Sequence, residues 1–327
     1  MKKSAVRSIV LTSLVLAGTA PYLGYAEKED DDAVAESALP AAVAATLKTA
    51  APGATFENAS VEDEDGAKEY EIELKSAAGG EIEVIILADG TLVEAEEQLA
   101  EKGLPASVAQ TIKTVGPSGK AKEIVKKTMT LYAAEKTVGE VTYELTVDAN
   151  GELVSFSSEH EVDEDGEAEE GAPVAEAQIP PAVMATVGMA AAGATFQKAV
   201  AEDEDGTKVY EVLVKSADGK SREVIVSADG QLIEIEEDLE AKDLPAAVAR
   251  TIKEVLPQGD TKELEKKSVV LYEIEKEAGE TTYEISVDAT GKVISLTAED
   301  EDEDDEDEED HEGNQEDGEK TEKGEKG

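Results

Sequence analysis

Several short segments of the chain alternate between apolar and polar residues. In EYEIELK, residues 69–75, the aromatic and aliphatic side chains fall on one side of an extended chain, and Glu69, Glu71 and Glu73 fall on the other. This period of two predicts strands with one buried face and one face in water. An Asp89-Gly90 pair between two such segments predicts a tight hairpin turn.

A different spacing precedes these strands. Apolar residues between Leu39 and Ala50 recur at intervals of three and four, which predicts a short amphipathic helix. Pro40 stands at its start, where a missing N–H is tolerated, and Pro52-Gly53 ends it. The segment therefore predicts one helix followed by about four antiparallel strands.

This pattern occurs four times. Leu39-Pro40 recurs as Ile179-Pro180, 140 residues later without a gap, and LPAAVAATLKTAAP is echoed within the same half by LPASVAQTIKTVGP. The acidic EDEDG turn that joins the first two strands of units one and three is missing from units two and four. A unit of roughly 60 residues buries little core alone, so we expect paired units to share one.

The predicted fold is α+β, with two tandem domains that each contain two repeats of one helix packed on an antiparallel sheet. We predict domain 1 at 39–156 (units 39–98 and 99–156) and domain 2 at 179–296 (units 179–238 and 239–296).

The segments outside the units have distinct compositions. Basic residues, a short apolar run and Gly24-Tyr25-Ala26 predict a secretory signal at 1–26, cleaved after Ala26. We predict an acidic lead-in at 27–38, a flexible acidic linker at 157–178 and a disordered acidic tail at 297–327. The protein is therefore expected to be secreted or periplasmic, with no membrane insertion after cleavage.

The net charge of −48 narrows the classes of partner. Such a surface repels nucleic-acid phosphates and favours basic proteins or divalent cations, although solubility or a salt-rich habitat explains the acidity equally well. The chain has no cysteine, and its two histidines, His160 and His311, fall in the linker and the tail. Thiolate sites and histidine-dependent nucleophilic catalysis are thereby excluded, and we predict a protein that is not an enzyme and needs no cofactor.

The order of motifs resembles the PepSY-like family, also called β-lactamase-inhibitor-like. It is carried by Leu39-Pro40, Pro52-Gly53, Tyr70-Glu71-Ile72 and Asp89-Gly90, with their counterparts in the other units. The resemblance implies a helix on an antiparallel sheet, export and no catalytic activity. It also suggests peptidase inhibition or binding of exported proteins.

Two sets of candidate site residues follow. The polar faces of the sheets are either simply solvated or form a docking surface for a basic exported protein or a hydrolase. The candidate residues on these faces are Glu71, Glu73, Glu83, Glu144, Glu211 and Glu284. The EDEDG turns offer hard oxygen ligands for weak calcium binding or are simply acidic turns, and the candidates are Asp63, Asp65, Asp203 and Asp205. The leading hypothesis is a non-enzymatic binding protein, and the alternative is an acidic cation-binding protein of the envelope.

Overall fold

The computed structural model describes residues 33–64, 67–116, 118–160, 171–204, 206–216, 219–279 and 281–300. Within them the chain forms four α-helices and one antiparallel β-sheet of fifteen strands. The predicted α+β class, with helices packed on an antiparallel sheet, is confirmed.

Each helix begins directly after a proline, as the sequence predicted for Pro40. The ring fixes φ near its helical value, and the N–H that proline lacks has no partner at a helix start. The helices are α1 (Ala41–Ala50), α2 (Ala106–Thr114), α3 (Pro181–Ala190) and α4 (Ala246–Val255).

The strands of the first half of the chain are β1 (Thr55–Glu64), β2 (Ala67–Lys75), β3 (Glu81–Leu87), β4 (Leu92–Gln98), β5 (Ala121–Val138), β6 (Val141–Asp148) and β7 (Leu153–His160). The remaining strands are β8 (Ala172–Pro173), β9 (Thr195–Glu204), β10 (Thr207–Lys215), β11 (Ser221–Ser227), β12 (Leu232–Asp238), β13 (Asp260–Ala278), β14 (Thr281–Asp288) and β15 (Val293–Asp300).

Two strands are about twice as long as the others and join the two halves of the chain. β5 pairs with β4 along its first half and with β6 along its second half. β13 pairs with β12 and then with β14 in the same way. On their other edges, β5 and β13 pair with each other over nearly their whole length. The sheet is therefore continuous across the two sequence repeats.

The pairing sorts the sheet into two rows that cross at the long strands. Row A runs β1–β2–β3–β4, then through the first half of β5 and the second half of β13 to β14 and β15. Row B runs β8–β9–β10–β11–β12, then through the first half of β13 and the second half of β5 to β6 and β7. Each row thus contains strands from both halves of the chain.

The helices of the second and fourth units follow this exchange. In the first unit, Thr46 of α1 donates its hydroxyl to the carbonyl of Gly90, in the hairpin turn of the same unit, at 2.6 Å. The equivalent hydroxyl of Thr111 in α2 binds Gly291, and that of Thr251 in α4 binds Gly151, in the opposite half of the chain. We call α2, the first half of β5, the second half of β13, β14 and β15 exchanged unit A. Exchanged unit B is α4, the first half of β13, the second half of β5, β6 and β7.

The sequence predicted neither the exchange nor the extent of the ordered segments. Ala33 bridges to Ser60, so part of the acidic lead-in is attached to the sheet. β7 continues to His160, because residues 157–160 pair with β6, and β15 continues to Asp300 by pairing with β14. The predicted linker and tail each begin later than the composition indicated. The signal, most of the linker and the rest of the tail lie outside the described residues.

The buried cores lie between the helices and the sheet. Around α1 the core includes Val43, Ile72 and Val84, and around α3 it includes Val183 and Val212. The cores of the exchanged units combine the two halves: Val108 of α2 packs with Ile285 and Val287, and Val248 of α4 packs with Tyr132 and Val147.

The tyrosines that alternate with the candidate glutamates along the strands differ in burial. Tyr210 is buried in the core of the third unit, and Tyr70 packs partly buried against the core of the first. Tyr143 and Tyr283 are half-buried at a strand end. The ring of Tyr143 stacks on Phe156 with ring centroids 5.7 Å apart.

Candidate functional site: the open face of the sheet

The helices cover one face of the sheet, and the residues that alternate with the core positions form the opposite face, here called the open face. In row A it carries Glu73, Glu94, Lys127 and Glu273. Ile72, Ala95, Ile124 and Ile274 point to the helices, and each lies an odd number of positions from one of these residues along the same strand. The predicted wet faces of the separate units are therefore parts of two continuous surfaces.

Four of the six predicted partner-binding glutamates lie on row A. Glu73 stands directly opposite Glu83 across the β2–β3 pair, and Glu71 is its neighbour on the same face of β2. Glu284 lies in β14, towards the far end of the row. All four side chains are half-buried. The row thus presents carboxylates at both ends of one surface.

The other two, Glu144 and Glu211, lie on row B, and Glu211 departs from expectation. Its side chain is only 8 % exposed, although its position predicted a solvated face. The open face of β10 to β12 packs near this point against exchanged unit A, where Val209, Ile225 and Ile233 share a core with Tyr272. Glu211 therefore lies inside the molecule near Glu223 and is not a surface residue.

A buried lysine organises the centre of row A. Lys127 of β5 is 5 % exposed and lies on the open face opposite Glu96 of β4. Its Nζ is 2.8 Å from Oε1 of Glu94, 2.9 Å from Oε1 of Glu96 and 3.7 Å from Oε2 of Glu273. Because Glu273 belongs to β13, this group of charges joins the two halves of the chain.

The three carboxylates outnumber the one lysine. Burial and the charge of Lys127 shift the pKa values of these carboxyl groups in opposite directions. Burial raises the pKa of Glu94 to about 8, reinforced by its hydrogen bond with Glu96. The pKa of Glu96 is lowered despite burial, because it accepts that hydrogen bond and faces Lys127. Burial also raises the pKa of Glu273. The pKa values of these two neighbouring carboxyl groups therefore differ, and Glu94 holds its proton more tightly than Glu96 does.

Row B carries the equivalent group around Lys267, 140 positions after Lys127. Its Nζ lies 2.7 Å from Oε1 of Glu236, 3.4 Å from Oε2 of Glu265 and 3.5 Å from Oε1 of Glu234. Glu234 is only 1 % exposed, and its Oε1 has no hydrogen-bond partner. Burial raises the pKa of Glu234 to about 8 and that of Glu265 to about 7.

An apolar patch separates the two charged groups. Met129 and Leu131 of β5 and Val269 and Leu271 of β13 lie side by side on the open face and are buried. Val154 and Ile294 pack against them from β7 and β15. At the centre of the open face, the buried apolar side chains of the two long strands therefore lie between the two buried lysines.

The described aspartates of the EDEDG segments make ordinary turn and cross-strand contacts. Asp203 accepts the backbone N–H of Gly206 at 3.0 Å and stands opposite Lys208 across the β9–β10 pair. Asp63 stands opposite Lys68 in the same way. Asp65 and Asp205 lie outside the described residues. Weak calcium binding at these turns stays a prediction.

A different set of acids comes together on row B. One carboxylate oxygen from each of Asp238, Glu263 and Glu265 lies within 4.8 Å of the others. Two of these side chains are exposed and the third is half-buried. Clusters of this kind are common on acidic surfaces, and this one adjoins Lys267, which already neutralises Glu265 in part.

Sequence reasoning missed the lysine-centred groups, although a signal was present. Lys126-Lys127 recurs as Lys266-Lys267 in a chain where acids outnumber basic residues by 78 to 30. Retention of both lysines in both halves indicated a buried role. The partners were not predictable, because Glu273 meets Lys127 only through the strand exchange.

Comparison with known proteins confirms the family resemblance. The β-lactamase-inhibitor-like, PepSY-like family matches residues 26–94, which cover most of the first unit, and residues 208–295, which run from β10 into β15. Within these two regions the chain is similar to PepSY-like proteins. No curated protein sequence matches the chain significantly.

Several solved structures show a distant likeness. A BLIP-like protein from Bacteroides fragilis is 14 % identical, over 61 % of this chain and 86 % of that one, with a TM-score of 0.23. DUF2874 family proteins from Bacteroides uniformis and Bacteroides ovatus are 16 % and 11 % identical. They cover 36 % and 65 % of this chain, and 88 % and 95 % of their own, with TM-scores of 0.22 each. TM-scores of this size do not establish a common overall arrangement of strands.

The described residues contain no helix that is long and apolar enough to cross a membrane.

Proposed function

We propose that this protein is an exported, non-enzymatic binding protein that docks another exported protein on the open face of row A, and thereby inhibits or modulates it. A secreted or periplasmic peptidase is the kind of target that the PepSY-like resemblance suggests. The observation that carries the proposal is the continuity of this face across the strands of both halves. It offers a broad surface of half-buried carboxylates on a sheet that is backed by helices.

The charge of the face indicates a basic partner. Lys127 is outnumbered by the three carboxylates around it, and Glu71, Glu73 and Glu83 add further negative charge towards the β2 end of row A. A surface of one sign steers an oppositely charged protein and fixes its orientation. Export rests on the predicted signal at 1–26.

The test uses the full chain, mixed with envelope extract of its source organism at roughly 0.3 M salt, where loose charge attraction is screened. A stoichiometric partner is identified, purified and titrated against two variants. The face variant carries Glu73→Gln and Glu83→Gln, which also relieves repulsion between directly opposed carboxylates. The control carries Glu101→Gln and Glu254→Gln, two exposed residues beside or in the helices.

Both variants lose the same charge, so they separate a specific face from general acidity. We expect the face variant to bind at least about tenfold more weakly, a loss of about 1.4 kcal/mol, and the control to bind like the unmodified chain. Equal weakening of both variants, or the absence of any stoichiometric partner, contradicts docking on this face.

A further inference from the structure

The two long strands meet on a pseudo-twofold axis. Met129 of β5 pairs with Val269 of β13, and these residues are counterparts 140 positions apart in the two repeats. On either side, Thr128 pairs with Val270 and Thr130 pairs with Ser268. The two halves of the chain therefore pair through equivalent strand edges.

The reason for the exchange lies in the turn that two units lack. In the first unit, residues 65–66 separate β1 from β2, so that the two strands fold back and pair with each other. In the second unit no such turn interrupts β5, which runs on as one strand. Its second half cannot return to pair with its first half, and the place of that missing neighbour is filled by β13.

The contacts that complete the exchanged units all cross between halves. Gly151 lies against the N-terminus of α4, and Gly291 lies against the N-terminus of α2. Buried Lys136 of β5 donates to the carbonyl of Leu256 at the C-terminal end of α4. Buried Lys276 of β13 donates in the same way to Ile112 of α2. Neither half alone supplies a helix together with all the strands that this helix covers.

We propose that β5 and β13 form a self-recognition interface, through which the two halves of the chain hold each other by strand exchange and through which a half from a second copy of the chain is accepted equally well. Each half of the chain thus pairs with its own repeat counterpart. Because counterpart residues pair around the axis, the interface does not distinguish a half of its own chain from the same half of another copy.

The first experiment cuts the full chain in place. A protease site is introduced among residues 161–170, between β7 and β8, and the folded protein is cleaved there. We expect the two fragments to remain a 1:1 complex in size-exclusion chromatography after extensive dilution, and to separate only in denaturant that unfolds them. Fragments that separate as folded monomers under native conditions would overturn the proposal.

A second variant restores the missing turn. The sequence EDEDG is inserted after Met129 and after Val269 of the cleavable chain, so that each long strand can close into a hairpin. A matched control receives the same insertions at Gly139 and Gly279, in turns that already exist. We expect only the restored-turn variant to release two folded fragments on cleavage. A cleaved control that separates as readily, or a restored-turn variant whose folded fragments stay together, contradicts the proposal.

Exchange between copies is tested with two cleaved preparations of different mass label, unfolded together and refolded. We expect about half of the recovered complexes to contain one half from each preparation, as random pairing requires. Recovery of unmixed complexes alone, or of separate fragments, refutes recognition of a second copy. This outcome is independent of the proposed docking function, because no exported partner is involved.

Discussion

At the scale of the residue, the buried carboxylate of Glu234 makes stability depend on pH. Burial raises its pKa from 4.5 to about 8 in the folded chain, so the folded state holds the proton more tightly than the unfolded state does. The stability linked to this proton is fully present below pH 4.5, decreases between pH 4.5 and 8, and is lost above pH 8. Lys267 offsets the cost of ionisation only in part, because its Nζ lies 3.5 Å from Oε1 of Glu234.

We therefore predict that Glu234→Gln stabilises the protein at pH 8.5 by on the order of 2 kcal/mol and changes little at pH 4.5. Urea unfolding at the two pH values measures the difference. Glu73→Gln is the control, since this half-buried side chain is not part of the lysine-centred groups. A variant that is destabilised equally at both pH values would show that the ionised carboxylate supports the fold.

At the scale of the element, the hairpin turns dock on the helix N-termini, and in the exchanged units this contact joins the two halves. Gly151 has a φ of +92°, and a Cβ placed there would lie 2.9 Å from the carbonyl carbon of Ala247 in α4. Gly139 has a φ of +68° but nothing within 4 Å of an added Cβ. An alanine would be strained by the positive φ at either position, and the two positions differ in the contact that its Cβ would make.

Gly151→Ala is accordingly expected to destabilise the chain by about 3 kcal/mol or more, and Gly139→Ala by only about 1 kcal/mol, the ordinary cost of a left-handed alanine. The difference, measured by urea unfolding, reports the docking of the turn on α4. Similar losses for the two variants would mean that α4 moves aside without cost.

The elements themselves were largely predictable from the sequence. The prolines before each helix, the alternation in residues 69–75 and the Asp89-Gly90 turn each act locally, so the sequence pattern is sufficient to locate them. The missing turn in the second and fourth units was also visible, but its consequence was not. Alternation does not say which strand pairs with β5, because that choice depends on the edge supplied by the other half.

The candidate site was predictable to the same extent. Period two placed Glu71, Glu73 and Glu83 on one face, and the structure keeps them there. It failed for Glu211, because the packing of the third unit against exchanged unit A covers that position. It also missed Lys127 with Glu94, Glu96 and Glu273, since a pattern along one strand carries no information about a cross-strand charge from the other repeat.

At the scale of the whole molecule, the exchange makes the proposed docking surface a joint property of both halves. Row A takes Glu73 and Lys127 from the first half and Glu273 and Glu284 from the second. A change that loosens one half must therefore disturb the surface contributed by the other. Two independent tandem domains would not show this coupling.

This coupling predicts one unfolding transition for the entire folded chain. The sequence contains no tryptophan, and the repeat counterparts Phe156 and Leu296 are 48 % and 47 % exposed, so a tryptophan at either position reports one half with little disturbance of the core. We expect Phe156→Trp and Leu296→Trp to give the same urea midpoint and the same denaturant slope, a slope that corresponds to exposure of the surface of both halves. Adding Gly151→Ala to either reporter should lower both midpoints equally, although Gly151 lies in the first half only. Two separate midpoints, or a shift confined to one reporter, would show that the halves unfold independently and that the long strands do not couple them.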